Sequence, residues 1–161
     1  MGQYETVEGV GKTFMKKVDI RKGDLVFVIS NSGINPLGIE IAMAAKEKGA
    51  KVVAITALEA SKTLKAKHSS NKKLYEIADH VLDNRTPLGD CCIELAGLPS
   101  KVIGLSMITT SIIIQATMYR AMQMMIEEGK EPKVYQSQNI EGMRERNEEL
   151  EKAYADRLNR I

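Results

Sequence analysis

The chain has 161 residues, 43% of them apolar, which is enough for one domain of ordinary size with a hydrophobic core. Its 23 basic and 21 acidic residues give a formal net charge of +2, and only 4% of the residues are aromatic. Neither a basic surface nor a set of stacking rings is indicated, so the composition argues against nucleic-acid binding.

Membrane insertion, secretion and metal binding are disfavoured as well. The first residues contain no basic segment followed by an apolar one, so no secretory signal is predicted. The longest apolar stretch, residues 102–125, is interrupted by Ser, Thr, Gln and Arg and is too polar to span a membrane. The adjacent Cys91 and Cys92 and the two histidines, His68 and His80, make neither a disulfide framework nor a metal motif. We therefore expect a cytoplasmic protein without a metal or other cofactor.

The first part of the chain predicts a helix, a strand and a second helix. Residues 3–17 have the helical spacing of an amphipathic segment. The five apolar residues Leu25–Ile29 run without a break, as in a parallel strand that is buried on both faces. The next helix is predicted to begin at Pro36, which suits a first helical turn, and to stop at Gly49.

The rest of the chain continues this alternation of strands and helices. In order, it predicts a strand at Lys51–Thr56, a polar loop or short helix at 57–71, a short helix at Leu74–Ala78, a strand at His80–Asp83, a turn-rich segment at 84–100 with a small strand at Cys92–Leu95, a long buried helix at Ser106–Glu128, and a charged amphipathic helix at 141–158 within a C-terminal segment that runs to 161. Strands that are joined through helices are parallel, so we expect an α/β protein with a three-layer αβα architecture.

The turn after the first strand is a candidate anion site. It consists of Ser30, Asn31, Ser32 and Gly33. Free backbone amides at a helix start point into such a turn, and the helix dipole favours negative charge there. Asn35 adds another uncharged donor, and residues 23–45 contain no Lys or Arg. One interpretation is a phosphate held by dipoles and hydroxyls, and the other is that Ser32 or Asn35 merely caps the helix.

Several motifs together resemble the SIS (sugar isomerase) domain family. The segment Ser30–Gly33, between a buried strand and a helix, is similar to the Ser-x-Ser-Gly phosphate loop of these domains. The resemblance continues through His68–Asp79, through Asp83-Asn84 with Pro87-x-Gly89-Asp90, and through residues 131–139. It covers most of residues 5–160 and is closest to bacterial sugar-isomerase-domain proteins allied to phosphoheptose isomerases.

This resemblance implies a flavodoxin-like parallel sheet and a sugar phosphate as the ligand. It implies contacts from Ser30–Gly33 and Asn35 together with Thr56 and Ser61, since ligands of such sheets bind at the carboxyl ends of the strands. The family's Glu-His-Ser-Lys stretch is Glu59-Ala60-Ser61-Lys62 here, so one candidate imidazole is missing.

An aldose–ketose isomerase also needs an acid and a base. The candidates are Glu59 and His68, with Glu40 behind them. The alternatives are a solvated loop carboxylate for Glu59 and a surface histidine or helix cap for His68.

The resemblance further implies that part of the domain is missing. SIS domains carry helices, a strand and a first ligand loop before the strand that leads to the phosphate loop, whereas only a helix precedes Leu25–Ile29 here. We therefore expect a single, partial SIS domain over 1–161 that lacks the first strand or strands of the family. We also expect a homo-oligomer or a second chain to supply the missing strand. Three functions remain open: a phosphosugar isomerase, a non-catalytic phosphosugar-sensing or partner subunit, and a truncated inactive fragment.

Overall fold

The computed structural model describes residues 2–157 and contains five strands. Its elements in chain order are a 3-10 helix Tyr4–Thr6, α1 Val10–Met15, β1 Leu25–Ile29, α2 Pro36–Glu47, β2 Lys51–Thr56, α3 Leu58–Thr63, α4 Leu74–Ile77, β3 His80–Asp83, β4 Cys91–Ile93, β5 Val102–Gly104, α5 Ser106–Glu127 and α6 Met143–Ala153. Among the described residues, no helix is both long and apolar enough to cross a membrane.

The main sheet is parallel and has the order β1-β2-β3. Leu25 lies opposite Lys51 and Ile29 opposite Ile55, while β3 pairs with the second half of β2. Helices lie on both sides of this sheet, which confirms the predicted three-layer α/β fold. The parallel register brings the carboxyl ends of all three strands to one edge, where the loops that follow them meet.

The core on one face of the sheet is built by α2. Ile39, Ala42 and Ala45 are fully buried and cluster with apolar side chains of β1, β2 and α4. The small side chains on this face allow α2 to pack close to the sheet, and its N-terminus follows directly from the loop after β1. The packing of α2 thus fixes the position of the candidate anion site.

The helix predicted over residues 3–17 is divided in two. Gly9 adopts a left-handed conformation with φ 92°, which separates the 3-10 helix Tyr4–Thr6 from α1. The Glu40 carboxylate of α2 accepts hydrogen bonds from the backbone amides of Gly9 and Lys12 at 2.5 and 3.2 Å. The buried side chain of a distant helix therefore caps α1, and local periodicity contains no sign of this contact.

The long helix α5 has the predicted position but not the predicted burial. Thr110 is its only buried residue, whereas Met107 is 81% and Ile112 63% exposed. The structure also adds β5, which pairs antiparallel with β4 and was not predicted. The predicted small strand at Cys92–Leu95 overlaps β4.

The chain divides into two compact units, one up to Gln115 and the other from Ala116 onward. In the second unit, Asn147 of α6 donates to the Gln136 carbonyl at 2.8 Å and accepts from its amide at 3.1 Å. The predicted helix at 141–158 is shorter, at Met143–Ala153, and residues 158–161 lie outside the described part.

Candidate functional site

The loop after β1 is a tight turn with unused backbone donors. Gly33 has φ 63°, and its amide donates to the Ser30 hydroxyl at 3.2 Å. The amides of Ser32, Ile34 and Asn35 have no acceptor among the described residues. Asn35 is the N-cap residue of α2, but its side chain makes no capping hydrogen bond. The capping alternative for Asn35 therefore does not describe this helix start.

Asn31 fastens this loop to the two neighbouring strands. Its carbonyl accepts from the Ala57 amide and the Thr56 hydroxyl, both at 3.0 Å. Its side-chain Oδ1 accepts from Asn84 Nδ2 at 2.9 Å and from Thr86 Oγ1 at 2.7 Å. Asn84 and Thr86 are buried and follow β3, so the Asn31 side chain points into protein and holds the loop in place.

Gly33 lies against two buried hydroxyl groups. A Cβ at this position would be 2.9 Å from Thr56 Oγ1 and 3.1 Å from Ser61 Oγ. Both residues are fully buried, and Ser61 Oγ has no hydrogen-bond partner among the described residues. A buried hydroxyl group without a hydrogen-bond partner lowers the stability of the fold, so Ser61 is a candidate to bond with a group from outside the described residues.

A groove of about 930 Å³ opens in front of the loop. Its floor and walls come from the free edge of β1, the first turns of α2 and the loop before β4; they include Phe27, Ser30, Asn31, Ser32, Asn35, Leu37, Ile41, Leu64, Leu88 and Asp90. Gly33, Thr56 and Ser61 are not lining residues. The groove lining contains no Lys or Arg, as the sequence predicts for residues 23–45.

Two carboxylates line the groove, Glu5 and Asp90. Asp90 is engaged through both oxygens, which accept from the Ser106 amide and hydroxyl at 2.7 Å and so hold the start of α5. Glu5 is exposed on the 3-10 helix, and its Oε2 accepts from Asn35 Nδ2 at 3.1 Å. Asn35 Oδ1 is buried and has no partner in the described part.

The predicted catalytic pair lies outside the groove lining. Glu59 is 72% exposed and forms an ion pair with Lys62 at 2.6 Å. The His68 side chain is only 11% exposed, and its Nε2 lies 3.9 Å from both Glu8 Oε2 and Glu40 Oε1. Of the predicted site residues, the groove lining therefore contains Ser30, Asn31, Ser32 and Asn35, and it does not contain Glu59 or His68.

Hydrogen bonds between Ser69 and Glu8 join the segment that contains His68 to the start of the chain. Hydrogen bonds from the Ser69 hydroxyl and amide lower the pKa of Glu8, and nearby His68 lowers it further.

In the described part, no group of three His, Cys, Asp or Glu side chains is arranged to hold a metal ion.

The sequence did not single out Glu5 or Thr86 as parts of the site, and it singled out Asn84 only as part of a motif. Each reaches the loop through a contact across 30 or more residues. The available signals were the Asp83-Asn84 motif and the carboxylate at position 5, and neither reveals which loop it contacts.

Comparison with known proteins identifies relatives of the chain. Residues 1–57 match a family model described as SIS domain. A UPF0309 protein of Listeria monocytogenes (lmo0025) is 46% identical over 157 residues, which cover 98% of this chain and 67% of that protein.

Other bacterial relatives carry the same family name. A UPF0309 protein of Geobacillus thermodenitrificans is 38% identical over 154 residues, covering 96% of this chain and 62% of that protein. A UPF0309 protein of Shouchella clausii is 36% identical over 140 residues, which cover 87% of this chain and 57% of that protein. The chain thus spans between 57% and 67% of the length of these three relatives.

Proposed function

Because the chain belongs to the UPF0309 family of SIS-domain proteins, we propose that it binds a sugar phosphate at Ser30–Asn35 and interconverts aldose and ketose forms of that sugar. The observation that carries the proposal is the set of unused hydrogen-bond groups at one place. Among the described residues, the amides of Ser32, Ile34 and Asn35 have no acceptor. Ser61 Oγ, buried beside Gly33 and outside the groove lining, has no partner in that part of the chain either.

Phosphate suits these groups because its oxygens accept several hydrogen bonds at once. The dipole of α2, a helix of 12 residues, adds positive potential at the same point. Asn31 contributes by holding the loop, since its side-chain oxygen already accepts two hydrogen bonds. Ser30 and Ser32 are left as the side chains that face the ligand.

Binding is tested by calorimetric titration with D-glucose 6-phosphate, D-fructose 6-phosphate and D-ribose 5-phosphate. Ser32→Ala removes a donor to a charged group, worth about 1.5–3 kcal/mol, so the Kd should rise about 10- to 100-fold. Ser111→Ala, an exposed serine on α5, is the matched control and should leave the Kd unchanged. Equal affinities in Ser32→Ala and in the wild type would refute the assignment of the loop.

Isomerisation requires a base that removes the proton from the carbon beside the carbonyl and returns it to the neighbouring carbon. Glu59 and His68 remain the sequence-based candidates for these steps. Incorporation of solvent deuterium into the bound sugar, followed by NMR, tests the reaction directly. The reaction predicts incorporation in the wild type and its loss in Glu59→Ala or His68→Ala.

A second function, ligand sensing without catalysis, is favoured by the positions of the same two residues. Glu59 is paired with Lys62 in solvent, and His68 is enclosed by Glu8 and Glu40. Tight binding of a sugar phosphate without any deuterium incorporation would select the sensor and exclude the isomerase.

The proposal includes a partner strand beside β1. This strand ends the sheet, and Leu25 and Ile29 are each 53% exposed although both are large and apolar. An edge strand of this kind is a template for pairing with another chain. A second copy of this chain, or another chain, would extend the sheet there and would form one wall of the groove, which β1 lines through Phe27 and Ile29.

A further inference from the structure

The groove holds an unused acceptor as well as unused donors. Glu5 lines the groove, and among the described residues it uses only Oε2, in its contact with Asn35 Nδ2. This carboxylate lies beside the helix start where the phosphate is proposed to bind. A phosphate dianion presents only acceptor oxygens, so it does not satisfy Glu5 Oε1.

We propose that Glu5 is a specificity-determining residue whose carboxylate accepts hydrogen bonds from sugar hydroxyls, so that the site selects polyhydroxy phosphate esters over inorganic phosphate, and that Asn35 positions this carboxylate. This inference rests on the proposed function, because it takes the phosphate to be held by the loop Ser30–Asn35. Glu5 is held next to the helix start by its hydrogen bond with the Asn35 side chain, and it lines the same groove.

The other groove residues support the assignment by elimination. Asp90, the second carboxylate of the lining, already accepts two hydrogen bonds from Ser106. Much of the remaining wall is apolar and offers no acceptor to a hydroxyl. Within the part of the chain that the structure describes, Glu5 is therefore the groove carboxylate with one oxygen that has no hydrogen-bond donor.

The negative charge of Glu5 affects inorganic phosphate and sugar phosphate differently. A carboxylate close to the anion site repels a bare phosphate, because like charges oppose each other at short range. A sugar phosphate meets the same repulsion but compensates for it with hydroxyl hydrogen bonds to a charged acceptor. Sites built to accept such bonds discriminate strongly against analogues that lack the hydroxyl.

The experiment compares three probes by calorimetry: D-glucose 6-phosphate or the sugar phosphate that binds the wild type best, n-hexyl phosphate, and inorganic phosphate. The variants are Glu5→Ala and Glu5→Gln, with Glu47→Ala as a control for charge, since Glu47 is exposed at the end of α2 and outside the groove lining. Thermal unfolding of each variant verifies that it is folded.

In Glu5→Ala, we expect sugar phosphate to bind about tenfold more weakly or worse, and inorganic phosphate to bind equally well or more tightly. The preference for sugar phosphate over hexyl phosphate should shrink in Glu5→Ala and persist in part in Glu5→Gln, which keeps one acceptor. The control should match the wild type for all three probes.

Three results overturn the inference while the proposed function survives: equal weakening of all probes, tighter binding of all probes, or no preference of the wild type for the sugar phosphate over hexyl phosphate and inorganic phosphate. A wild-type protein that binds none of the probes overturns the proposed function itself, and the inference with it.

Discussion

Gly33 shows how one residue sets the shape of the candidate site. Its φ of 63° strains any other side chain, and a Cβ would come within 2.9 Å of Thr56 Oγ1. Gly33→Ala should lower the free energy of unfolding by about 1–3 kcal/mol and abolish phosphate binding, because the loop must move. Urea denaturation and calorimetry measure the two effects.

Gly23→Ala is the matched control for this change. Gly23 has φ 91°, and an added Cβ would meet nothing within 4 Å. The control therefore carries the backbone strain without the clash, and it should keep its phosphate affinity. If both variants lose the same stability and both retain binding, Gly33 is an ordinary turn glycine.

Asn31 is expected to act through position, not through direct contact with the ligand. Asn31→Ala leaves Asn84 Nδ2 without its acceptor and Thr86 Oγ1 with only the longer contact to Asn84 Oδ1, a cost of about 1–3 kcal/mol in unfolding free energy. In a double-mutant cycle with Thr86→Val, the two losses should be non-additive. Additive losses in urea denaturation would show that the two side chains act independently.

These residues mark the limit of what local sequence reveals. The loop Ser30–Gly33 was predictable because a buried strand, a turn and a helix start are adjacent in the chain. The partners of Asn31 were not, because Asn84 and Thr86 lie 53 and 55 residues away and meet it only through the parallel register of β1, β2 and β3.

At the scale of elements, Asp79 joins the beginning of β2 to α2. Its carboxylate accepts from the Val52 amide at 2.8 Å and from Lys46 Nζ at 3.1 Å, and these contacts lower its pKa to about 2. A carboxyl group has a pKa near 3.9 in an unfolded chain, so the stabilisation is complete above about pH 4 and is lost as the pH falls toward 2.

Asp79→Asn should therefore be less stable than the wild type at pH 6, and the difference should narrow between pH 4 and pH 2. Urea denaturation at a series of pH values measures this. Glu47→Gln, which removes an exposed carboxylate, serves as the control for charge. A stability difference that stays constant over this pH range would mean that the Asp79 contacts do not stabilise the ionised form.

Element boundaries follow the same division between local and distant causes. The strands Leu25–Ile29, Lys51–Thr56 and His80–Asp83 have the predicted bounds because each is built on consecutive apolar residues and is bounded by polar or turn-forming residues. The break in the first helix escaped prediction because Glu40, a residue of α2, caps α1. The strand β5 was not predicted because its strand conformation depends on the pairing of Val102 and Gly104 with β4, which local sequence does not reveal.

At the scale of the whole molecule, apolar surface remains open along β1 and α5. The periodicity of α5 predicts a buried helix, yet Met107, Ile112 and Tyr119 are 81%, 63% and 63% exposed. A helix with this pattern usually buries its apolar faces against another element or subunit. Sedimentation velocity should therefore show a species heavier than the 17.8 kDa of one chain.

Backbone amides give a sharper test of the proposed partner strand. The Asp24 carbonyl and the Ser30 amide both bond to β2, at 2.8 and 3.1 Å. Since alternate residues of a strand point the same way, the amides of Val26 and Val28 also face β2, whereas those of Phe27 and Ile29 face outward.

If another copy pairs with this edge, the amides of Phe27 and Ile29 should exchange with deuterium as slowly as that of Val28, and dilution of the protein should speed their exchange. The Val28 amide, already bonded within the chain, is the internal control and should respond little to dilution. Protection that does not change with concentration, in a species of one chain's mass, would exclude a partner copy. Rapid exchange at Phe27 and Ile29 at every concentration, beside a slow Val28, would leave β1 as a true edge of the sheet.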